Sequence, residues 1–433
     1  MGIRDVILLL VLLLLVPLAL ARPWIGALVW VWISIMSPHR MTYWMYDAPV
    51  ALIVAVALIL GLFLTRDHRH IPMAPPIFWM IIFTVWMVVT FPFSFDTGPE
   101  GQAQLEKVLK IMLLNLLVLM PLHTRRHVDL LIGVLALSIG FFGLKGGIFA
   151  IMTGGAYQVR GGGGFIEPNN ELALALLMSV PLLYYLMLQC KHRVLRWGFV
   201  VLMFLSTVAA VASQSRGALI ALIAMAGAFL LRSPSRARLV LPMLATGVFI
   251  AAFMPSTWWE RMDTVRTYDS DASAQGRINA WILAWRVAKD HFLGGGFNLE
   301  TPEVFSRYAP NADFIAVAHS IYFQVLGHHG FVGLFIYLMM WFATIRTGFW
   351  IYRNSSTLAD RQLAQMAEIS LVGFAVGGAF LSLAYFDGPF YIMIALVVLR
   401  YKVLGNRTLR GEPSTAAASA DDDGAKPNQA LAP

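Results

Sequence analysis

Cysteine and charge are both scarce in this sequence. The chain has 433 residues and one cysteine, Cys190, which excludes an intramolecular disulfide framework and a metal site built on cysteine ligands. Charged residues make up 13% of the chain, whereas soluble domains carry roughly 25%. The net charge of +8 is divided among short loops, and no soluble domain remains to present a basic groove. The sequence therefore predicts no nucleic-acid partner.

Apolar residues are abundant. They make up 58% of the chain, and the mean hydropathy is +0.69. Apolar runs of about 20 residues, the length that crosses a bilayer as a helix, recur along the sequence. Lipid cannot satisfy free backbone groups, so such spans have to be helices. We therefore predict an all-α polytopic membrane protein with about 12 transmembrane helices and with membrane lipids among its partners.

The helix count depends on the amino end of the chain. Two short apolar segments flank Arg22 and Pro23. Read as two full spans they give thirteen helices in total; read as one hairpin that does not fully cross, they give about twelve, which we prefer. Further along the chain we predict a span at 239–254, and near the other end spans at 367–385 and 388–403.

Basic residues occur at every second loop between the predicted spans. Because cytoplasmic loops carry an excess of Lys and Arg, this alternation predicts the orientation of the chain. The basic loops carry Arg66 and Arg69, Arg125 and Arg126, Lys191 and Arg193, Arg232 and Arg236, Arg346 and Arg353, and Lys402 and Arg407. The opposite, outer face then carries a long loop at about 255–319. A membrane domain over 1–405 is followed by a polar tail, 406–433, that we predict to be disordered and cytoplasmic.

Two arginines on the outer face are placed to bind an anion. Arg216 lies in a tight turn near a predicted helix N-terminus, where backbone amides and the helix dipole favour negative charge. The other, Arg277, lies near the start of a helix predicted over 274–291, inside Gly276-Arg277-Ile278-Asn279-Ala280-Trp281. The alternatives are an interfacial arginine held by lipid headgroups and a helix that simply lies on the membrane surface.

Two further cations on this face allow two interpretations each. Lys145 lies inside a predicted span, where it either snorkels to the interface or lines an outward-facing cavity. Arg160 precedes four glycines, which either let the backbone approach a ligand or form a flexible loop.

His319 opens an apolar span on the same face. A lone histidine there is more often structural, but the converging arginines make it a candidate for chemistry. His328 and His329 lie deeper and beside glycines, so we predict a structural role for both. The sequence contains no zinc or calcium motif, and we predict no metal and no other cofactor.

Several short motifs, spread over most of the chain, carry a family resemblance. The motifs are Ser215-Arg216-Gly217-Ala218, Gly276-Arg277 with Trp281, Gly294-Gly295-Gly296-Phe297, His319-Ser320-Ile321-Tyr322 and Gly327-His328-His329-Gly330-Phe331-Val332-Gly333. This pattern resembles the O-antigen ligase/polymerase superfamily over roughly residues 1–405. The amino-terminal half, with Ser37-Pro38-His39-Arg40 and Glu167-Pro168-Asn169-Asn170, looks like the ligase-like branch that occurs beside exosortase-type systems.

The resemblance implies an inner-membrane glycosyltransferase whose active site faces the periplasm. It implies a glycan on undecaprenyl diphosphate as donor and lipid A–core as acceptor. The family's catalytic histidine falls on His319 and its functional arginines on Arg216 and Arg277; Arg160 and Lys145 are further candidate diphosphate ligands. A histidine of near-neutral pKa suits proton removal from a sugar hydroxyl, and arginines can stabilise a diphosphate leaving group without a metal.

Three other functions are alternatives to a ligase, and they fit the same residues either equally well or less well. A polymerase would use the same donor and join glycan repeats to each other. A protein O-glycosylation ligase would transfer the glycan to a Ser or Thr. A transporter of lipid-linked glycans would need cations along a transmembrane path and paired repeats, whereas the cations here cluster at one face.

Overall fold

The computed structural model describes residues 2–65, 71–232, 245–249, 252–263 and 272–409. Outside these residues lie the predicted basic loop at Arg66 and Arg69, Arg236, part of a predicted span at 239–254, and all but the first four residues of the predicted tail. Within the described residues the regular structure is helical throughout and contains no strand, so the prediction of an all-α protein is confirmed.

The described α-helices are numbered in chain order. They are α1 (Ile3–Ala21), α2 (Pro23–Met36), α3 (Val50–Leu64), α4 (Pro75–Thr90), α5 (Pro99–Leu119), α6 (Arg125–Met152), α7 (Asn169–Gln189), α8 (Arg193–Ala212), α9 (Arg216–Arg232), α10 (Ser256–Asp263), α11 (Ala272–Asp290), α12 (Pro302–Tyr308), α13 (Ile321–Asn354), α14 (Leu358–Gly377) and α15 (Asp387–Leu409). Four short 3-10 helices accompany them: η1 (Pro38–Met41), η2 (Phe91–Phe93), η3 (Gly164–Ile166) and η4 (Gly378–Phe380).

Eight of the described helices are long and apolar enough to cross a membrane: α1, α4, α6, α7, α8, α13, α14 and α15. The chain is therefore a multi-pass membrane protein. Helices α2 and α3 are apolar but shorter, and the total of about twelve spans stays a prediction.

The carboxy-terminal helix α15 lies at the centre of the bundle. Ten consecutive residues, Phe390 to Leu399, are each at most 2% exposed, so this helix is buried on every side. Peripheral α1 instead exposes leucines such as Leu10, Leu13 and Leu14, as a lipid-facing helix does. The core consequently forms around the last helix of the chain.

The first two helices form a hairpin. Helix α1 is long and apolar enough to cross a membrane and α2 is shorter, and the incomplete crossing of this hairpin stays a prediction. The chain reverses at Arg22, and α1 packs against both α2 and α3. Beyond the hairpin, the Trp44 amide donates to Asp5 Oδ1 at 2.9 Å, which returns the chain to the start of α1. The beginning of α1 and the end of α2 therefore lie at the same end of the bundle.

Basic and acidic side chains join the helices at one end, here called the basic end. The Arg125 Nε atom lies 2.6 Å from Asp360 Oδ1, linking α6 to α14. Arg232 forms an ion pair with Glu368, linking α9 to α14. At the other end the start of α7 contacts the turn between α8 and α9, where Asn169 Nδ2 donates to Ser213 O at 2.8 Å. This end carries His319 and is called the His319 end.

Helix α13 is broken in its first half. Gly330 has φ +68°, and the helix changes direction there. The Gly294–Gly296 turn closes the break: the Gly295 amide donates to Gly327 O at 2.9 Å and the Gly296 amide to His328 O at 3.0 Å. A Cβ atom at Gly294 would lie 2.5 Å from His328 O, so this turn needs glycine for its close approach to α13.

Candidate active site

The segment before α13 is clamped to α11 by the motif that contains Arg277. A Cβ atom at Gly276 would lie 3.1 Å from Ala316 Cβ, so the two backbones pass close together. Asn279 Nδ2 donates to the carbonyls of Asn311 (2.8 Å) and Phe314 (2.9 Å), and its Oδ1 accepts from the Asn311 amide (2.9 Å). The motif thus holds residues 311–316 against the start of α11.

Trp281 extends this clamp to the residue before His319. Its Nε1 donates to Ala318 O at 2.6 Å, and its ring stacks on Phe323 with centroids 5.0 Å apart. Asn279 and Trp281 lie two and four residues after Arg277 on the same helix, so α11 positions both Arg277 and the chain that bears His319.

His319 lies directly before α13 in an unusual backbone conformation. Its φ is +43°, a left-handed value that costs a non-glycine residue energy and that functional sites often contain. The imidazole is half-buried, and its Nδ1 has no hydrogen-bond partner among the described residues. Burial lowers the pKa of His319 below its ordinary value of 6.5, and the nearby Arg277 guanidinium lowers it further. The neutral imidazole is thereby favoured near neutral pH.

Arg216 is the first residue of α9, as predicted. Ahead of it, Asn169 Nδ2 at the start of α7 donates to Ser213 O at 2.8 Å, and Gln214 has φ +59°. A Cβ atom at Gly217 would meet Phe380 Cβ at 3.0 Å, and one at Gly378 would meet Ile321 Cδ1 at 2.7 Å. Helix η4 therefore connects the Arg216 turn to the first residue of α13.

Glu171 joins the site from the first turn of α7. The residue is 8% exposed, and its Oε2 has no hydrogen-bond partner within the described part of the chain. The Arg277 charge acts on Glu171 as well as on His319, so one guanidinium lies near both side chains. From the sequence alone, Glu171 and Glu167 are the alternatives to His319 as the base; a carboxylate opening an apolar span is the available signal for Glu171.

The glycines after Arg160 allow close packing within their own loop and against α6 and η1. Cβ atoms at Gly162 and Gly163 would lie 2.9 Å from Phe142 Cε1 and 2.6 Å from Arg40 Cδ. The loop closes on itself, since the Gly161 amide donates to Glu167 O at 3.0 Å. Arg160 itself is exposed.

Lys145 is exposed on α6 and lines a different cavity, one between α1, α2, η1 and α6. None of Glu171, Arg216, Arg277 and His319 lines that cavity. The structure therefore brings Arg277, His319 and Glu171 together, connects Arg216 to them through η4, and places Lys145 elsewhere.

His328 and His329 lie in the core beneath this site. His328 Nδ1 and His329 Nε2 contact the hydroxyl of Tyr385 at 3.2 and 2.8 Å, and the two histidines are 6% and 1% exposed. Trp86 Nε1 donates to His329 O at 3.0 Å. These contacts join α4, α13 and the segment before α15, as a structural role requires.

Together these groups offer a neutral imidazole, a buried carboxylate and arginines at one end of a membrane bundle. An imidazole can accept a proton from a hydroxyl, and a guanidinium can bind a phosphate oxygen pair. Such a set suits attack by an alcohol on a substrate that carries a phosphorylated leaving group.

Comparison with known proteins divides the chain in two. Residues 3–190, which include Glu171, match a family of unknown function (DUF5935). Residues 201–338, which include Arg216, Arg277 and His319, match the family described as O-antigen ligase. A comparison with curated proteins finds no significant match. Residues 201–338 are therefore an O-antigen ligase domain, which supports the resemblance to the O-antigen ligase superfamily.

Proposed function

We propose that this protein is an O-antigen ligase. It transfers a glycan from undecaprenyl diphosphate to the lipid A–core oligosaccharide on the periplasmic face of the bacterial inner membrane, in lipopolysaccharide biosynthesis. The observation that carries the proposal is the position of Arg277, whose charge acts on His319 within the matched O-antigen ligase region and on Glu171 outside that region.

In the proposed reaction, the acceptor hydroxyl attacks the anomeric carbon of the donor sugar. His319 takes the hydroxyl proton as the new C–O bond forms, and the bond from the anomeric carbon to the diphosphate oxygen breaks. Arg216 and Arg277 bind the diphosphate and stabilise the charge that grows on it. Direct displacement inverts the anomeric centre. Arg160 is kept as a predicted diphosphate ligand, and Glu171 is the alternative base.

The acceptor distinguishes this function from its alternatives. Purified protein in lipid vesicles is supplied with an undecaprenyl-diphosphate glycan and three acceptors: lipid A–core, a second lipid-linked glycan, and a peptide that contains Ser and Thr. Ligation to lipid A–core is the expected product. Longer lipid-linked glycans alone would instead identify an O-antigen or exopolysaccharide polymerase, and a glycopeptide alone a protein O-glycosylation ligase.

We also propose that transfer needs no metal. The described residues contain no group of three His, Cys, Asp or Glu side chains arranged to hold a metal ion, and arginines can carry the diphosphate charge. Transfer should therefore continue at its normal rate in excess EDTA. Loss of activity that returns only on adding a divalent cation would contradict the arginine-only mechanism.

A further inference from the structure

Glu171, Arg216, Arg277 and His319 are here called the His319 cluster. A cavity of about 390 Å³ lies apart from this cluster, between the amino-terminal hairpin and α6. Its lining is largely apolar, with side chains such as Ile7, Val11, Trp32 and Phe141, and it contains two cations, Arg4 and Lys145. No acidic side chain lines it.

Both walls of the cavity change from charged to apolar in the same direction. On α1, Arg4 lies nearest the His319 end, and Ile7, Leu8 and Val11 continue for roughly 10 Å away from it at 1.5 Å per residue. Helix α6 runs the opposite way, so Phe141 lies one turn deeper than Lys145. Two antiparallel helices thus place their cations at one level and their apolar side chains below it.

Neither cation is neutralised by an acidic side chain in the described part of the chain. Arg4 and Lys145 form no ion pair with any residue that the structure describes. The neighbouring Asp5 is engaged elsewhere, because it accepts from the amides of Gly2 (2.8 Å) and Trp44 (2.9 Å). This cavity is called the crevice from here on. Its two exposed positive charges above an apolar lining match an amphiphile with an anionic head and a hydrocarbon tail.

We propose that this crevice binds one anionic phospholipid of the surrounding bilayer. Its phosphate lies between Arg4 and Lys145, and an acyl chain follows Ile7, Val11 and Phe141 toward the middle of the membrane. A bulk phospholipid fits better than the glycan donor, because none of the four residues of the His319 cluster lines the crevice. Lys145 thereby binds a structural lipid instead of the donor diphosphate.

Native mass spectrometry of the full-length protein, delipidated and titrated with phosphatidylglycerol or phosphatidylcholine, tests the proposal. The wild type should retain one tightly bound phosphatidylglycerol. Arg4→Gln and Lys145→Gln should each weaken that binding about fivefold, and the double variant about 25-fold. Lys110→Gln is the control: it removes another exposed lysine, which is paired with Glu106 and lies outside the crevice, and it should not change lipid binding.

Two further results keep the test decisive. Val11→Trp fills the apolar part of the crevice without touching either cation and should also reduce phosphatidylglycerol binding. Equal retention of the neutral and anionic lipids, or unchanged binding in the folded double variant, would overturn the proposal. Displacement of phosphatidylglycerol by an equimolar amount of undecaprenyl phosphate would overturn it too, since the crevice would then be a site for the polyprenyl lipid.

Discussion

At the scale of single residues, Arg277 links the proposed base to the proposed donor site. Its charge and the burial of His319 both lower the pKa of that imidazole. A general base must be neutral to accept a proton, so transfer should slow as pH falls through the pKa of His319. Arg277→Gln removes one of the two causes, and the acid limb of the pH–rate profile should therefore move to higher pH.

Arg277→Lys separates charge from hydrogen-bond geometry. Lysine keeps the positive charge, so the acid limb should stay near its wild-type position. It lacks the bidentate fork, so donor binding should weaken by about tenfold or more. The measurement is kcat/KM against pH for wild type and both variants. Identical acid limbs in wild type and Arg277→Gln would show that Arg277 does not control the protonation of His319.

Sequence reasoning selected His319 and Arg216 because a polar or charged residue at the edge of an apolar span is rare and therefore informative. It selected Arg277 because this residue lies near the start of a predicted helix in the outer loop. It did not separate Glu171 from Glu167, because both belong to one polar stretch around the start of α7. Only the fold distinguishes them: Glu171 falls on the buried face of α7, near Arg277. Sequence reasoning also grouped Lys145 with the arginines. A sequence shows near which end of a helix a residue lies, but not which face of the helix the residue occupies.

At the scale of elements, α11 holds the His319 segment through Trp281. Trp281→Phe keeps the stacking on Phe323 and removes the hydrogen bond to Ala318 O. His319 should then lose its fixed placement, and because small displacements of a catalytic group are costly, kcat should fall about tenfold or more with little change in the KM for donor.

Trp285→Phe is the control for this variant, because Trp285 lies on the same helix, is 50% exposed and contacts Phe331 with its ring edge. Its kcat should match wild type. Steady-state kinetics of the two variants test whether Trp281 positions His319. Equal kcat values for Trp281→Phe and Trp285→Phe would remove Trp281 from the positioning of His319.

The positions of most helices followed from hydropathy alone, but the last spans show where it is misleading. We predicted a span over 367–385, whereas α14 begins at Leu358 and ends at Gly377. The charged residues Asp360 and Arg361 lower the hydropathy of its first half, yet Asp360 is buried and paired with Arg125. Glu368, in the second half, is likewise buried and paired with Arg232. Pairing across helices is invisible in a single sequence, and so is the Asn279 clamp across 32 residues.

At the scale of the whole molecule, the central position of α15 limits what can be removed from the carboxyl end. This helix runs to Leu409, slightly beyond the predicted domain boundary, and the remaining residues lie outside the described part of the chain. They are polar and poor in apolar side chains. Deleting Pro413–Pro433 should therefore leave membrane insertion and transfer activity within about twofold of wild type. A truncated protein that inserts normally but is inactive would give the tail a function.

The most direct test of the proposed mechanism compares three histidine variants. His319→Ala should lose about two to four orders of magnitude in turnover, the usual effect of removing a general base. Its binding of undecaprenyl diphosphate should persist, because Arg216 and Arg277 remain. His328→Ala and His329→Ala should unfold at lower temperature, since each breaks a buried contact with Tyr385, while the folded fraction still turns over. Turnover by His319→Ala near the wild-type rate, with the other two variants equally active, would contradict the assignment of His319 as the base.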